Sequence, residues 1–134
     1  MKNQNQIIVE KSNNGFTAYT NDLLGLTSFG ETLQELKENF AEALELHLEG
    51  MQEDGDDIPE SFKGDFELIF DMDAQQFLEH MSKRVNISYV AELTGINRSL
   101  LAQYKSGNKT PSPKRKKLII NSFKLIGKEL TCID

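Results

Sequence analysis

The apolar residues of this 134-residue chain follow two periods, and the change from one to the other restricts the fold most. Up to about residue 72, short runs such as "FTAYTND" and "GDFELIFDM" alternate apolar and polar residues, as half-buried strands do. From "DMDAQQFLEHM" on, apolar residues recur at three- and four-residue steps, as in amphipathic helices. The sequence therefore predicts an α+β protein with a small strand-rich domain, residues 1–72, followed by an all-α domain, residues 73–134.

The first domain is predicted to have the order β-β-β-α-β. "QIIVEKS" and "FTAYTND" flank "NNG", and since Asn and Gly tolerate positive φ, this predicts a hairpin. A third strand is expected at residues 26–29, and a helix that covers one face of an antiparallel sheet begins at a capping box of Thr32 and Glu35. The apolar face of that helix consists of Leu33, Leu36, Phe40, Ala43, Leu44 and Leu48.

The second domain is predicted to contain four helices, with Asp73, Ser88 and Asn97 as N-caps of the first three. Gly95 and Gly107 suit the left-handed conformation that ends a helix. Pro111 and Pro113 precede the fourth helix. The residues expected to point inward are Phe77, Leu78, Met81, Val90, Ala91, Leu93, Leu100, Leu101, Tyr104, Leu118, Ile119, Phe123 and Ile126.

Charge is segregated along the chain. Residues 1–80 contain four Lys and eighteen Asp or Glu, a net charge of −14, whereas residues 81–134 contain eleven Lys or Arg and three acids, a net charge of +8. This asymmetry indicates two domains with different electrostatic partners. The alternative is that the acidic and basic halves attract each other, or that each is a solvated surface.

The spacing of helix, tight Gly turn and helix around Gly95 is that of a helix-turn-helix, in which the second helix enters the major groove of DNA. Arg pairs with guanine and Gln with adenine in that groove. The exposed candidates are Arg98, Ser99, Ala102, Gln103 and Lys105. The run "KRKK" begins the last helix, where backbone N–H groups also favour phosphate. Alternatively, the helices serve only stability and the run only solubility.

The chain offers little for catalysis, metal binding or a membrane. Cys132 is the single cysteine, and His47 beside apolar neighbours is typical of a structural histidine. We therefore expect no enzyme, no cofactor and no metal. "MKNQNQIIVEKSN" lacks a signal-peptide core and no run of about 18 apolar residues occurs, so we expect a cytoplasmic protein. A two-metal nuclease remains an alternative, using Glu10, Asp22, Glu31 and Asp71.

The stretch "SYVAELTGINRSLLAQYKSGNKTPSPKRKKLIINSFKLIGKEL" resembles the Cro/phage-repressor helix-turn-helix family. The family frame is met by Val90-Ala91, Gly95, Asn97, Ser106-Gly107 and Pro111. The resemblance implies base contacts from the first turns of the second helix and phosphate contacts just after it. With the basic run, the predicted DNA-binding residues are Asn97, Arg98, Ser99, Gln103, Lys105, Ser106, Asn108, Lys109, Lys114, Arg115, Lys116 and Lys117.

The stretch "GFTAYTNDLLGLTSFGETLQELKENFAEALELHLEGMQEDGDDIPESF" resembles the HicB antitoxin family. The matching motifs are the aromatic strand Phe16 to Tyr19, the turn Asp22-Leu23-Leu24-Gly25, the helix start Gly30-Glu31-Thr32, and Ile58-Pro59. That family joins a partial ribonuclease-H-like β-β-β-α-β domain to a C-terminal DNA-binding domain.

The resemblance implies that residues 1–72 bind and neutralise a small basic HicA-like ribonuclease toxin. It also implies that residues 73–134 bind operator DNA and repress the toxin–antitoxin operon. Because one helix-turn-helix reads only a few base pairs, we expect a homodimer or higher homo-oligomer on a palindromic operator. The alternative function is a stand-alone DNA-binding regulator whose N-terminal domain serves ligand sensing or oligomerisation.

Overall fold

The structure, a computed structural model, describes residues 2–134. This part of the chain divides between Met72 and Asp73 into two compact units, called here the sheet unit and the helical unit. With one four-stranded sheet and five α-helices in the described residues, the predicted α+β class is confirmed. Within the same range, no helix has the length and hydropathy needed to cross a bilayer.

The sheet unit contains β1 (Asn3–Lys11), β2 (Phe16–Tyr19), β3 (Thr27–Gly30), α1 (Leu33–Asp54) and β4 (Phe66–Met72), with a short 3₁₀ helix (Glu60–Phe62) before β4. The strands lie in the order β3-β2-β1-β4. β2 is antiparallel to both of its neighbours, but β4 is parallel to β1. The prediction of an antiparallel sheet was therefore wrong for β4. The two hairpin turns make β3 run in the same direction as β1. Helix α1 is the return connection between β3 and β4, so β4 again runs in that direction.

The turn between β1 and β2 is closed by a hydrogen bond from Ser12 N to Gly15 O at 2.8 Å. The predicted hairpin is confirmed, but neither Asn residue nor Gly15 has positive φ, since the positive φ values among the described residues belong to other glycines. Gly15 is required for space instead, since a Cβ atom there would lie 2.3 Å from Gly30 O. The third strand, predicted at residues 26–29, begins one residue later and includes Gly30.

Helix α1 begins where Thr32 Oγ1 accepts a hydrogen bond from Glu35 N at 3.1 Å, as the capping box predicts. Leu36, Phe40 and Leu44 are buried on its inner face. Leu33 was also predicted to be buried, but 43% of it is exposed. Side chains lean towards the N-terminus of a helix, so Leu33 at the first helical position has no preceding turn to cover it.

The core of the sheet unit lies between α1 and one face of the sheet, where Ile7, Val9, Phe16 and Ala18 are buried. α1 packs mainly against β3 and β2. The side chains of β4 that share this inner face are less covered, and Phe66, Leu68 and Phe70 are only half-buried. The β4 side of the inner face is therefore the least protected part of this core.

The helical unit contains α2 (Ala74–Met81), α3 (Ile87–Thr94), α4 (Arg98–Ser106) and α5 (Pro113–Leu130). α4 packs against α2 and α3, and α3 also packs against α5. The rings of Phe77 and Phe123 meet edge to face, with centroids 5.1 Å apart. The buried apolar residues of the core are Leu78, Val90, Ile96, Leu101, Tyr104, Ile119 and Phe123.

The starts of α2 and α4 are as the sequence predicts, whereas α5 begins one residue before the predicted basic run, at Pro113. Asp73 Oδ1 accepts from Gln76 N at 2.8 Å and Asn97 Oδ1 from Leu100 N at 2.7 Å, as predicted. α3, however, is capped by Asn86 rather than Ser88. Both residue types are good caps, and the earlier start places Ile87 against the core.

Two side chains predicted to point inward lie at the surface of the helical unit. Leu93 is 37% exposed and Leu118 is 43% exposed. The helical period alone made both apolar faces too wide. Val90 on α3 and Ile119 on α5 are the neighbours that the fold does bury.

Candidate nucleic-acid interface

The connection between α3 and α4 is a turn of three residues. Gly95 has φ 74° and ends α3 in the left-handed conformation, Ile96 is buried, and Asn97 caps α4. Because the Asn97 side chain accepts the Leu100 N–H, its role in this structure is to start α4. The turn therefore fixes which residues of α4 face outward.

The exposed residues on α4 include most of the predicted base-reading candidates. Arg98 and Ser99 lie exposed in its first turn, and Ala102 and Lys105 are exposed further along. An Arg at the start of an exposed helix can reach a base edge with its forked guanidinium group. The structure thus places the guanidinium-bearing candidate at the exposed N-terminal end of α4.

Gln103 differs from the sequence-based interpretation. It is half-buried, and its Oε1 atom is buried without a hydrogen-bond partner among residues 2–134. An unsatisfied buried acceptor costs about 1–3 kcal/mol. The expectation that Gln103 is exposed was therefore wrong for its amide oxygen, because the periodic pattern places a residue on a face without fixing its rotamer.

The residues after α4 are shaped by backbone capping. Ser106 Oγ donates to Gln103 O at 3.1 Å, and Lys109 N donates to the same oxygen at 3.2 Å. Gly107 has φ 86°, as its predicted role at the helix end requires. Asn108 and Lys109 are exposed beyond this turn.

The basic run begins α5, where Ser112 Oγ accepts from Arg115 N at 3.2 Å and Pro113 occupies the first turn. Lys114, Arg115 and Lys117 are exposed, and Lys116 is half-buried. The first turn of α5 contains no acidic residue. Cations at this positive end of a helix dipole each cost about 0.3–1 kcal/mol, and an anion bound there offsets that cost.

A side-chain hydrogen bond joins the basic run to α4. Arg115 Nη1 donates to the hydroxyl group of Tyr104 at 3.0 Å, and Tyr104 is 3% exposed. This bond holds the first turn of α5 beside the helix that carries Arg98. Sequence reasoning did not find it, because the partners are eleven residues apart on different helices and neither is unusual in its own pattern.

The sheet unit carries the opposite charge. Residues 1–72 contain four Lys and sixteen Asp or Glu, a net charge of −12. A stripe along α1 is exposed and consists of Glu35, Glu38, Glu42, Glu45 and Glu49. Such a surface attracts a cationic partner and raises its rate of association.

The positions of the His, Cys, Asp and Glu side chains determine whether the chain could bind a metal ion. Among the described residues, no group of three or more His, Cys, Asp or Glu side chains is arranged to hold a metal ion. Glu10, Asp22, Glu31 and Asp71 of the nuclease alternative form no such group within that range.

Tyr19 and Glu10 form a hydrogen-bonded pair on the outer face of the sheet, with the hydroxyl group 3.2 Å from Glu10 Oε1. This bond raises the pKa of Tyr19 above 10.0, and partial desolvation and the charge of Glu10 act in the same direction. We expect Glu10→Ala to lower the midpoint of a Tyr19 ring titration followed by NMR. Since the folded state holds this proton more tightly, the associated stability is lost as pH rises through the folded-state pKa. An unchanged midpoint would contradict the assignment.

A comparison with models of protein families identifies the family of this chain. The family model described as "HicB_like antitoxin of bacterial toxin-antitoxin system" matches residues 5–108, which is more than half of the chain. The chain belongs to the HicB-like antitoxin family. The matched range begins within β1 and ends at the residue that follows Gly107, so it includes the sheet unit from residue 5 onward and the α3–α4 turn.

The chain is also similar to a bacteriophage protein. Over 55 residues it is 42% identical to the "Uncharacterized 14.9 kDa protein in rep-hol intergenic region" of Haemophilus phage HP1 (strain HP1c1). The alignment covers 41% of this chain and 41% of the length of that relative.

Proposed function

We propose that this HicB-like antitoxin binds and neutralises a small basic HicA-like ribonuclease toxin with its sheet unit, and represses its own operon with its helical unit. The observation that carries the proposal is that charge changes sign where the two compact units divide. Residues 1–72 have a net charge of −12, whereas residues 73–134 have eleven basic and five acidic residues. Oppositely charged surfaces in one chain suit one basic and one polyanionic partner.

DNA binding is supported by the geometry of the helical unit. α4 follows a three-residue turn and presents Arg98 and Ser99, which matches the way a recognition helix enters the major groove. The basic start of α5 is held beside α4 by the Arg115–Tyr104 hydrogen bond, which suits contacts to the flanking phosphates. A palindromic operator bound by a homodimer would double this small interface.

A pair of substitutions tests the two kinds of DNA contact. We expect Arg98→Ala to weaken binding to the promoter of the chain's own operon by about 1–3 kcal/mol and to relax base preference. We expect Lys117→Ala to weaken binding to all duplexes and to reduce the salt slope by about 1. Fluorescence anisotropy with promoter and unrelated duplexes, at several salt concentrations, measures both effects.

The control for Lys117→Ala is Lys128→Ala, which removes the same charge from the opposite end of α5. It should leave DNA affinity close to that of the wild type. If Arg98→Ala and Lys117→Ala have the same effect on both duplexes, the assigned roles are wrong. If the wild type does not distinguish its promoter from unrelated DNA, the repressor part of the proposal fails.

The antitoxin part is tested by co-expression with the protein encoded in the reading frame next to the gene of this chain, which we expect to be small and basic. We expect the two chains to co-purify, and the basic protein to cleave RNA only in the absence of this chain. A chain that neither binds that protein nor prevents cleavage would contradict the antitoxin role.

A further inference from the structure

An apolar groove lies on the inner face of the sheet unit, where α1 leaves β4 incompletely covered. Its volume is about 550 Å³, which lies within the range of about 300–1,000 Å³ seen for ligand sites. One wall comes from the second half of α1, the floor from β4, and the other wall from the segment before β4. The larger apolar side chains that line it are Leu44, Leu48, Ile58, Phe62, Phe66 and Leu68.

The wall opposite α1 is held in place by hydrogen bonds from β1. Asn5 is 2% exposed and donates from Nδ2 to Ser61 O at 2.8 Å, while Asn3 Nδ2 donates to Glu60 O at 3.2 Å. The rings of Phe62 and Phe66 meet edge to face with centroids 5.5 Å apart. A groove with fixed walls loses little conformational entropy when it is filled.

The polar side chains that line the groove all come from α1. They are Glu45, Glu49 and Gln52, and all three are exposed. A site for a small polar molecule has polar groups that converge on the ligand from several sides. An apolar floor with carboxylates along one rim fits a protein segment whose apolar side chains enter the groove beside a Lys or Arg.

Charge decides between a second copy of the chain and a different protein as the occupant. Two copies that met through this groove would each bring a sheet unit of net charge −12, including the carboxylates of Glu45 and Glu49. Like charges that face each other across an interface are unfavourable by several kcal/mol. A basic protein would bind favourably in two ways, because its apolar side chains cover the floor of the groove and its cations pair with the acidic rim.

We propose that this groove binds an apolar segment of the basic toxin in which Lys or Arg flanks the residues that enter the groove. The inference rests on the proposed antitoxin function and adds the surface that performs it. Bound there, the segment covers the half-buried side chains of β4 and places its cations beside Glu45 and Glu49.

The test uses the whole 134-residue chain and, as the probe, the protein encoded in the reading frame next to its gene, which we expect to be small and basic. The dissociation constant is measured by calorimetry. Leu48→Ser removes an apolar wall of the groove, and Leu46→Ser is its control, because Leu46 is 64% exposed on the opposite side of α1. We expect Leu48→Ser to weaken binding by about tenfold or more, as at a buried interface residue, and Leu46→Ser to leave it within about twofold.

Charge reversal provides a second, independent pair. Glu49→Lys changes the rim, whereas Glu38→Lys makes the same change on the same face of α1, about 16 Å away along the helix. Both variants have the same net charge, so the long-range electrostatic attraction between the chain and the basic probe falls equally in both. We expect Glu49→Lys to weaken binding by about tenfold more than Glu38→Lys. Circular dichroism checks that each variant is folded. If Leu48→Ser is unfolded, the comparison of Glu49→Lys with Glu38→Lys alone tests the groove proposal.

The outcomes separate the groove from the antitoxin role. If the wild type binds the probe and Glu49→Lys and Glu38→Lys weaken binding equally, the groove is not the docking surface, although the antitoxin function stands. If a folded Leu48→Ser binds as tightly as the wild type, the groove proposal also fails. If the wild type does not bind the probe at all, both proposals are overturned.

Discussion

Replacement of Leu101 by alanine is expected to lower the free energy of unfolding of the helical unit by about 2–5 kcal/mol. Leu101 is 0% exposed and lies on α4 in the core with Val90 and Ile119. Removing most of its side chain leaves a cavity that the surrounding helices fill only partly. Since α4 also carries Arg98, we expect DNA affinity to fall as the folded fraction falls.

Urea unfolding followed through the amide NMR signals of α4 measures this change within the helical unit. Leu125→Ala is the matched control, because Leu125 on α5 is 55% exposed, and a surface change of this kind alters stability by less than about 0.5 kcal/mol. Equal losses in the two variants would contradict the burial of Leu101.

Gly30→Ala is expected to destabilise the sheet unit by about 3 kcal/mol or more. A Cβ atom at Gly30 would lie 2.3 Å from Leu36 N and 2.6 Å from Leu36 Cα. Both are backbone atoms of α1, so no side-chain rotation relieves the clash, and the helix must move away from the end of β3. Thermal unfolding monitored through signals of the sheet unit measures the loss.

The control is the same Gly-to-Ala substitution at Gly50, where the added methyl group has open space. Gly50 lies inside α1, and a Cβ atom there meets no described atom within 4 Å. Gly50→Ala should therefore raise stability by about 1 kcal/mol, because alanine favours the helix and restricts the unfolded chain. A Gly30→Ala protein that is as stable as the wild type would show that α1 does not approach β3 this closely.

Local patterns were enough to predict most secondary structure. Alternation predicted β2 and β4, and cap residues such as Asp73 and Asn97 predicted where α2 and α4 begin. The direction of β4 was not predictable in the same way, because an alternating strand satisfies its pattern equally well in either orientation. The α3 cap was missed because Asn86 and Ser88 are both suitable caps, and packing of Ile87 favours the earlier one.

In the candidate sites, too, some features were predictable from local sequence patterns and others were not. Exposure of Ser99 and Ala102 followed from the helical period, since they lie on the side of α4 away from the buried Leu101 and Tyr104. The conformation of the Gln103 side chain and the Arg115–Tyr104 bond depend on tertiary packing, which no single segment encodes. For the groove, Ile58 and Phe62 are the one local signal, because they are apolar residues in the otherwise polar stretch "EDGDDIPESF".

The parallel pairing of β1 with β4 determines when the sheet unit can be completed during translation. Asn3 pairs with Phe66, so β1 must wait for nearly the whole unit to be synthesised before its second edge is filled. Contacts between residues so distant in sequence form slowly, because a long loop must close before they contribute. During that interval one side of β1 exposes its backbone hydrogen-bonding groups, and a nascent chain in this state is a substrate for chaperones and proteases.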